Sequence, residues 1–522
     1  MGLRRMERTD GMRLALAILT VSSLVAVAGR SGADEPRKVT EPNVLREPAE
    51  ITQVADAFDG EDPFDLHLSL GYQYTSKSAT IFRESFVRQP GLSVGGFTPT
   101  TMNVAKYSET TSRLNTRMDI GLFKDIALVF RVPIILNNDR DLKDLDGSEN
   151  EQSVVLQGAP GEQLFRLPFK APTRSGVEYL AVGLDLGVMN QFRDRTKPTW
   201  IIGIEGRFNV SEPMHACNAS PNPGVNRSDV SQVDCAHRSD VNRNGVGGET
   251  DVAPDDTILE GNFSGARDRG VSRGVTGLEF HTYLSKRIKY IEPYVGFRTL
   301  FEFQNESSDY GATDLEGSLV NHPPLQGTMI LGMNVIPWEI RDAFQRVTID
   351  FRFTGTYVSE GRDYSELFDA LGSSDAPSIR RPNFSSFHDN PSDDPDAPPS
   401  VVNPNSQKVY FTGLTDVQQH GMYSFSTQFT WQAGEYVKFN LGGGYSVVQS
   451  HFITFDQACN PDFSDDLAKS GPCRSENEDT GALTPTGIPN PNFRHVINVP
   501  GRRFLVEESN AFDVWLNATV MF

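Results

Sequence analysis

Beyond residue 28 the sequence holds no apolar run long enough to cross a membrane as a helix, which takes roughly 20 apolar residues. Basic charge is short too: 48 Lys and Arg face 68 Asp and Glu, for a formal net charge of −20. That balance argues against a nucleic-acid partner, whose phosphates need Lys/Arg patches. It describes a surface that attracts cations. Cysteine is scarce, and the four present (Cys217, Cys235, Cys459, Cys473) never stand at C-x-x-C spacing, which weakens any thiolate zinc site. The nine histidines give no Ser-His-acid spacing that stands out. The acid–His neighbours Asp416/His420 and His388/Asp389 read as solvated loop residues, and no enzyme is expected.

The N-terminus carries Arg4, Arg5, Arg8 and Arg13, then an apolar run from Leu14 to Ala28 ending in Ala26-Val27-Ala28. This predicts a secretory signal peptide over 1–28, with cleavage as late as Ala33 as a variant. An exported chain meets an oxidising compartment. The cysteines fall as two local pairs, so of the three pairings that four cysteines allow the expected bridges are Cys217–Cys235 and Cys459–Cys473.

Period-two alternation dominates the rest. A strand sends successive side chains to opposite faces. In Asp65–Tyr74, the residues Leu66, Leu68, Leu70, Tyr72 and Tyr74 share one face, opposite His67, Ser69, Gly71 and Gln73. Eleven further segments repeat the pattern: about 113–122, 126–136, 179–190, 199–209, 274–285, 290–304, 327–338, 347–357, 422–432, 437–447 and 512–522. The links after the even-numbered segments are short, and those after the odd-numbered ones are long. In lipid only helices and closed barrels satisfy every backbone group. The expected fold is therefore all-β: a transmembrane antiparallel up-and-down barrel of about 12 strands over 64–522, with short periplasmic turns and long acidic extracellular loops. Loop stretches such as Asp389–Ser400 are Asp/Pro-rich and are not expected to pack, while a short helix is expected near Tyr364–Leu371. Residues 34–62 are read as a periplasmic N-terminal segment, a disordered tail, with a plug folded into the lumen as the alternative. Trp200, Trp338, Trp431 and Trp515, with Tyr74 and Tyr357, are read as interface girdles.

The final stretch, from Phe512 to Phe522, alternates apolar residues and ends on an aromatic. It resembles the closing strand of bacterial outer-membrane β-barrels. The resemblance covers general architecture over most of the mature length and names no transporter family. It implies residence in the bacterial outer membrane, contact with its lipid and lipopolysaccharide, and handling by the barrel-assembly machinery through the C-terminal strand.

Parity assigns the lumen face to Arg113, Arg117, Asp119, Arg131, Asp185, Glu205, Arg207, Glu279, His281, Arg298, Glu302, Asp350, Arg352 and Lys438, with Asp513. Opposed rows of Arg and acid across a water-filled pore would orient water and ions, and set selectivity. The alternative is that these charges pair and hold the interior closed. The loop Asp240–Asp251 matches the spacing of a calcium loop, with Asp240, Asn242, Asn244 and Asp251 as side-chain ligands and Val246 offering its carbonyl. The expected function is a passive channel or uptake porin for small solutes. The alternative is a surface-exposed barrel whose acidic loops bind calcium, lipopolysaccharide or a partner.

Overall fold

A computed structural model describes residues 49–58, 64–88, 97–145, 155–219, 235, most of 269–380, 408–460 and 488–522, with short pieces at 383–384, 474–476, 480 and 483–485. Twelve long strands form one closed antiparallel barrel. They are β1 (Leu66–Arg88), β2 (Phe97–Phe123), β3 (Ile126–Lys143), β4 (Leu180–Met189), β5 (Thr199–Phe208) and β6 (Val275–Ser285). Then come β7 (Ile291–Gln304), β8 (Gln326–Ile340), β9 (Gln345–Val358), β10 (His420–Gln432), β11 (Val437–Val448) and β12 (Ser509–Met521). Each pairs with its neighbours in sequence, and β12 returns to β1 from His67↔Met521 to Ser78↔Asn510. Leu66 and Phe522 exchange backbone bonds of 3.1 and 3.0 Å at the rim. No strand edge of the wall is left for lipid to meet.

Alternation sets the wall's two faces. Leu70, Leu186, Ile204, Phe297, Leu331, Phe353, Phe425, Leu441 and Leu516 are exposed on the outside, a belt that only a hydrocarbon solvent accommodates at this size. Trp200, Trp338 and Trp431 lie at the short-turn ends of β5, β8 and β10, and Tyr357, Tyr423 and Tyr445 at the opposite end of the belt. Trp515 departs from the girdle expectation. It shares parity with Asp513, points inward over Gly442, and donates its indole N–H to Gln428 (2.8 Å). At β8 the register slips between Val335 and Trp338; Pro337 has no N–H to give the ladder.

The first three strands are far longer than expected. β1 and β2 pair from Leu66↔Ile120 up to Arg88↔Phe97. Their outer halves are Ser- and Thr-rich, lack the lipid-facing apolar row, and stand above the belt. Against these halves the external loops build a hydrophobic core of Ile81, Val104, Leu156, Leu164, Leu367, Leu371, Ile379, Phe411, Ile453, Ile497 and Phe504. The loops thus form a packed cap. Residues 385–407, which include the Asp/Pro-rich stretch, lie outside the described residues. The helix expected near Tyr364–Leu371 is present as Phe368–Gly372 and is buried throughout.

Buried arginines clip the cap together. Arg83 donates to the carbonyls of Gln157 (2.9 Å), Val496 (2.6 Å) and Arg502 (3.0 Å), and also to that of Val155. Arg494 reaches those of Ile379, Val409 and Pro491. Arg174 forks onto Asp369 (2.5 and 3.1 Å) and bonds the His215 carbonyl. A planar guanidinium with five donors suits this task, because each N–H can serve a different loop. Cys217 and Cys235 form a disulfide. Cys459 is also disulfide-bonded, while its expected partner Cys473 lies outside the described residues.

Candidate functional site

The inner wall carries the charges that parity assigned to it, and most of them join one chain of ion pairs. On β2, Arg117 Nε donates to both oxygens of Asp119 (2.8 and 3.0 Å). On β3, Arg131 forks onto Glu205 of β5, with Nε at 2.7 Å. Arg207 bridges Glu205 (3.1 Å) and Glu279 of β6. His281 sits between Asp185 (3.0 Å) and Glu279 (3.6 Å), and Arg298 of β7 lies 4.0 Å from Glu279. These pairs run side by side along the wall, between strands at most two apart. The expected opposed rows across the pore do not form, because strand register brings the partners together before the lumen has to be crossed.

The remaining charges form smaller groups. Arg352 pairs with Asp350 (3.0 Å), and the Tyr294 hydroxyl donates to Asp350 (2.6 Å) while accepting from Arg352 Nε (3.0 Å). Asp513 accepts from Gln73 (3.1 Å) and Thr75 (2.5 Å). Arg113 meets Glu178 (3.0 Å), and Glu302 meets Arg273 (2.6 Å) under the cap. Glycines make the space for the large groups. A Cβ on Gly203 would lie 2.1 Å from His281 Nε2 and 2.4 Å from Asp185 Oδ1, and one on Gly332 would strike the Tyr294 ring.

Residues 49–57 lie inside the short-turn end of the barrel, so here the plug alternative describes the segment and the free tail does not. Ala49 N–H donates to Glu292 (2.9 Å), and Thr52 shares a hydrogen bond with Ser285 (2.9 Å). Glu50 accepts from Gln428 (2.7 Å) and Asn440 (3.0 Å), and Lys438 donates to Gln53 (3.1 Å). Ala49 and Ile51 pack on Tyr283, Tyr294 and Ile330. Ala57 exchanges backbone bonds with Lys124 (3.1 and 2.7 Å) in the β2–β3 turn. The chain crosses β2 where Gly121 has no side chain: a Cβ there would lie 1.8 Å from the Asp56 carbonyl oxygen. The sequence signal for Glu50 and Gln53 was slight, since a segment of nine residues carries no period that marks it as docked. The inward parity of Tyr294 and Trp515, by contrast, was readable.

Between this segment and the cap lies a cavity of about 320 Å³, walled by Arg117, Arg131, Tyr179, Lys438, Trp515 and Glu50 among others. Twelve strands leave more room than the eight that side chains can fill, and the charged network takes up only the wall. The candidate calcium ligands Asp240, Asn242, Asn244, Val246 and Asp251 lie outside the described residues, and among the described residues no cluster suited to a metal occurs. His420 does not pair with Asp416; its Nδ1 lies 2.9 Å from the Gln418 carbonyl and its ring stacks on His451.

A closed twelve-strand barrel with an apolar outer belt and a charged inner wall defines an outer-membrane β-barrel of bacteria. No protein-family model matches the chain, and no curated protein matches it in sequence. Solved structures similar to it are outer-membrane barrels. One is an outer membrane channel from Pseudomonas putida F1, at 8% identity over 89% of this chain and 99% of that one, TM-score 0.34. Another is the Pseudomonas putida toluene transporter TodX, at 5% identity over 91% and 92%, TM-score 0.30. A third is the outer membrane protease OmpT from Escherichia coli, at 8% identity over 88% and 98%, TM-score 0.25.

Proposed function

We propose that this barrel is a channel for small polar solutes, stopped at its periplasmic end by its own residues 49–57. The observation that carries the reading is the cavity of about 320 Å³ inside a wall of ion pairs. A barrel whose only task was to stand in the membrane would gain stability by filling that space. The N-terminal segment is held by polar bonds and a few apolar contacts, a kind of attachment that can be undone. Full-length protein in planar bilayers should give stepwise conductance with long closed periods. A bilayer silent at several voltages of both signs would end the reading.

The packed cap favours a second reading, in which the external loops bind calcium or a surface partner. Calcium-dependent protease protection of Asp240–Asp251, lost in Asp240→Ala, supports it; protection indifferent to calcium removes it.

A further inference from the structure

We infer that the lumen cavity holds a docking point for a small oxyanion, a solute bearing a carboxylate or a similar group, gripped by Arg117 and Arg131. The inference rests on the channel reading, since the lumen is where such a solute would pass. Arg117 and Arg131 stand directly opposite one another in the β2–β3 register, so both side chains rise from one face, with Cβ atoms roughly 5 Å apart. Two like charges opposed in this way destabilise a sheet unless something offsets them. Each arginine has its own carboxylate, and the way each is held decides what a solute meets.

Asp119 takes only the Nε edge of Arg117, and the next carboxylate, Asp185, is 3.9 Å from a terminal nitrogen. Glu205 takes Nε and one terminal nitrogen of Arg131. Among the described residues, both terminal nitrogens of Arg117 and one of Arg131 have no hydrogen-bond acceptor within the chain. The carboxylates also lie behind: the Arg117 and Arg131 side chains are 43% and 30% exposed, against 12% for Asp119 and 5% for Glu205. A solute in the cavity therefore touches guanidinium edges, while the acids that neutralise them are covered by the wall.

Paired N–H groups in a planar fork match the two oxygens of a carboxylate or phosphate. Lys438 adds a third cation to the cavity lining, and Trp515 and Tyr179 give it an aromatic wall. A cation would have to displace these groups to reach Asp119. Of the acids in the lining, Asp119 lies behind Arg117, and Glu50 stands on the plug side, where Gln428 and Asn440 donate to it.

The test is calorimetric titration of detergent-solubilised full-length protein with succinate, inorganic phosphate, the neutral succinamide and the dication putrescine. Succinate is expected to bind, and Arg117→Gln to weaken it roughly tenfold or more, the worth of a lost charge-assisted hydrogen bond. Arg131→Lys keeps the charge but not the fork, and is expected to weaken succinate by a smaller factor. Should Arg117→Gln fail to fold with Asp119 unpaired, the double variant Arg117→Gln/Asp119→Asn removes both charges together and must show the same loss. Phosphate binding as well as succinate identifies the shared oxyanion chemistry; succinate alone identifies carboxylates. Equal binding of succinate and succinamide, tighter binding of putrescine, or unchanged succinate binding in a folded Arg117 variant would overturn the inference. A silent bilayer with succinate binding intact would remove the channel reading and leave the site.

Discussion

Glu50→Ala should release the segment that stops the barrel. Its carboxylate accepts from Gln428 at 2.7 Å and Asn440 at 3.0 Å. Hydrogen bonds to a charged group contribute about 1.5–3 kcal/mol each. Glu50 is exposed to the lumen, and screening there lowers the pair to about 2 kcal/mol in total. That is roughly a thirtyfold shift between docked and undocked segment. Single-channel recording should show closed periods shortened by about that factor, with the size of the conducting step unchanged. Gly121→Ala is an independent way to the same end, because its Cβ would lie 1.8 Å from the Asp56 carbonyl oxygen and touch none of the charges. Two variants sharing no contact should then share a phenotype. If both keep the wild-type closed periods, residues 49–57 do not stop the channel.

Three further outcomes follow from the geometry. Gly203→Ala should cost about 1–3 kcal/mol by breaking the 3.0 Å His281–Asp185 contact, read as a lower denaturant midpoint; a wild-type midpoint would refute the close packing. In the cap, Asp416 and Asp456 are buried; burial and the charge of Asp456 hold Asp416 well above the ordinary carboxylate range, and burial holds Asp456 above it. A folded pKa above the unfolded one means the cap keeps a proton the unfolded chain has lost. The contribution of this pair to cap stability should therefore be full below about pH 4 and fall as pH rises; Asp416→Asn should protect the cap against protease relative to wild type more at about pH 8 than at about pH 4, and a difference independent of pH would contradict this. Cys217→Ser should loosen the cap by about 3 kcal/mol without changing the barrel's heat-modified gel mobility, and a changed mobility would tie the disulfide to the wall instead.

The wall was legible because it is a local code. Alternation over some ten residues gave each strand, and the link lengths gave strand order and sidedness. The ends of β1, β2 and β3 were not readable, since above the membrane Ser and Thr replace the apolar row that marks a strand. The cap was hidden for another reason: Leu156, Leu371 and Ile497 come from three different loops, and no window of sequence holds two of them in a repeating relation. The ion pairs fall between the two cases. Parity gave the face of each charge, but partner choice depends on register, which brought Glu205 to Arg131 across an intervening strand.

The cap also bears on how the chain is made. Its core needs β1, whose Ile81 faces Val506, and it needs the residues just before the last strand, Phe504 among them. These lie more than 400 positions apart, so the core cannot form on a chain still being threaded into the membrane. Contacts of such long sequence separation come late in folding, and until then their apolar surface stays open to chaperones and proteases. A folded cap is therefore a receipt for seam closure. Protease resistance of the cap should appear together with closure of the first strand on the last.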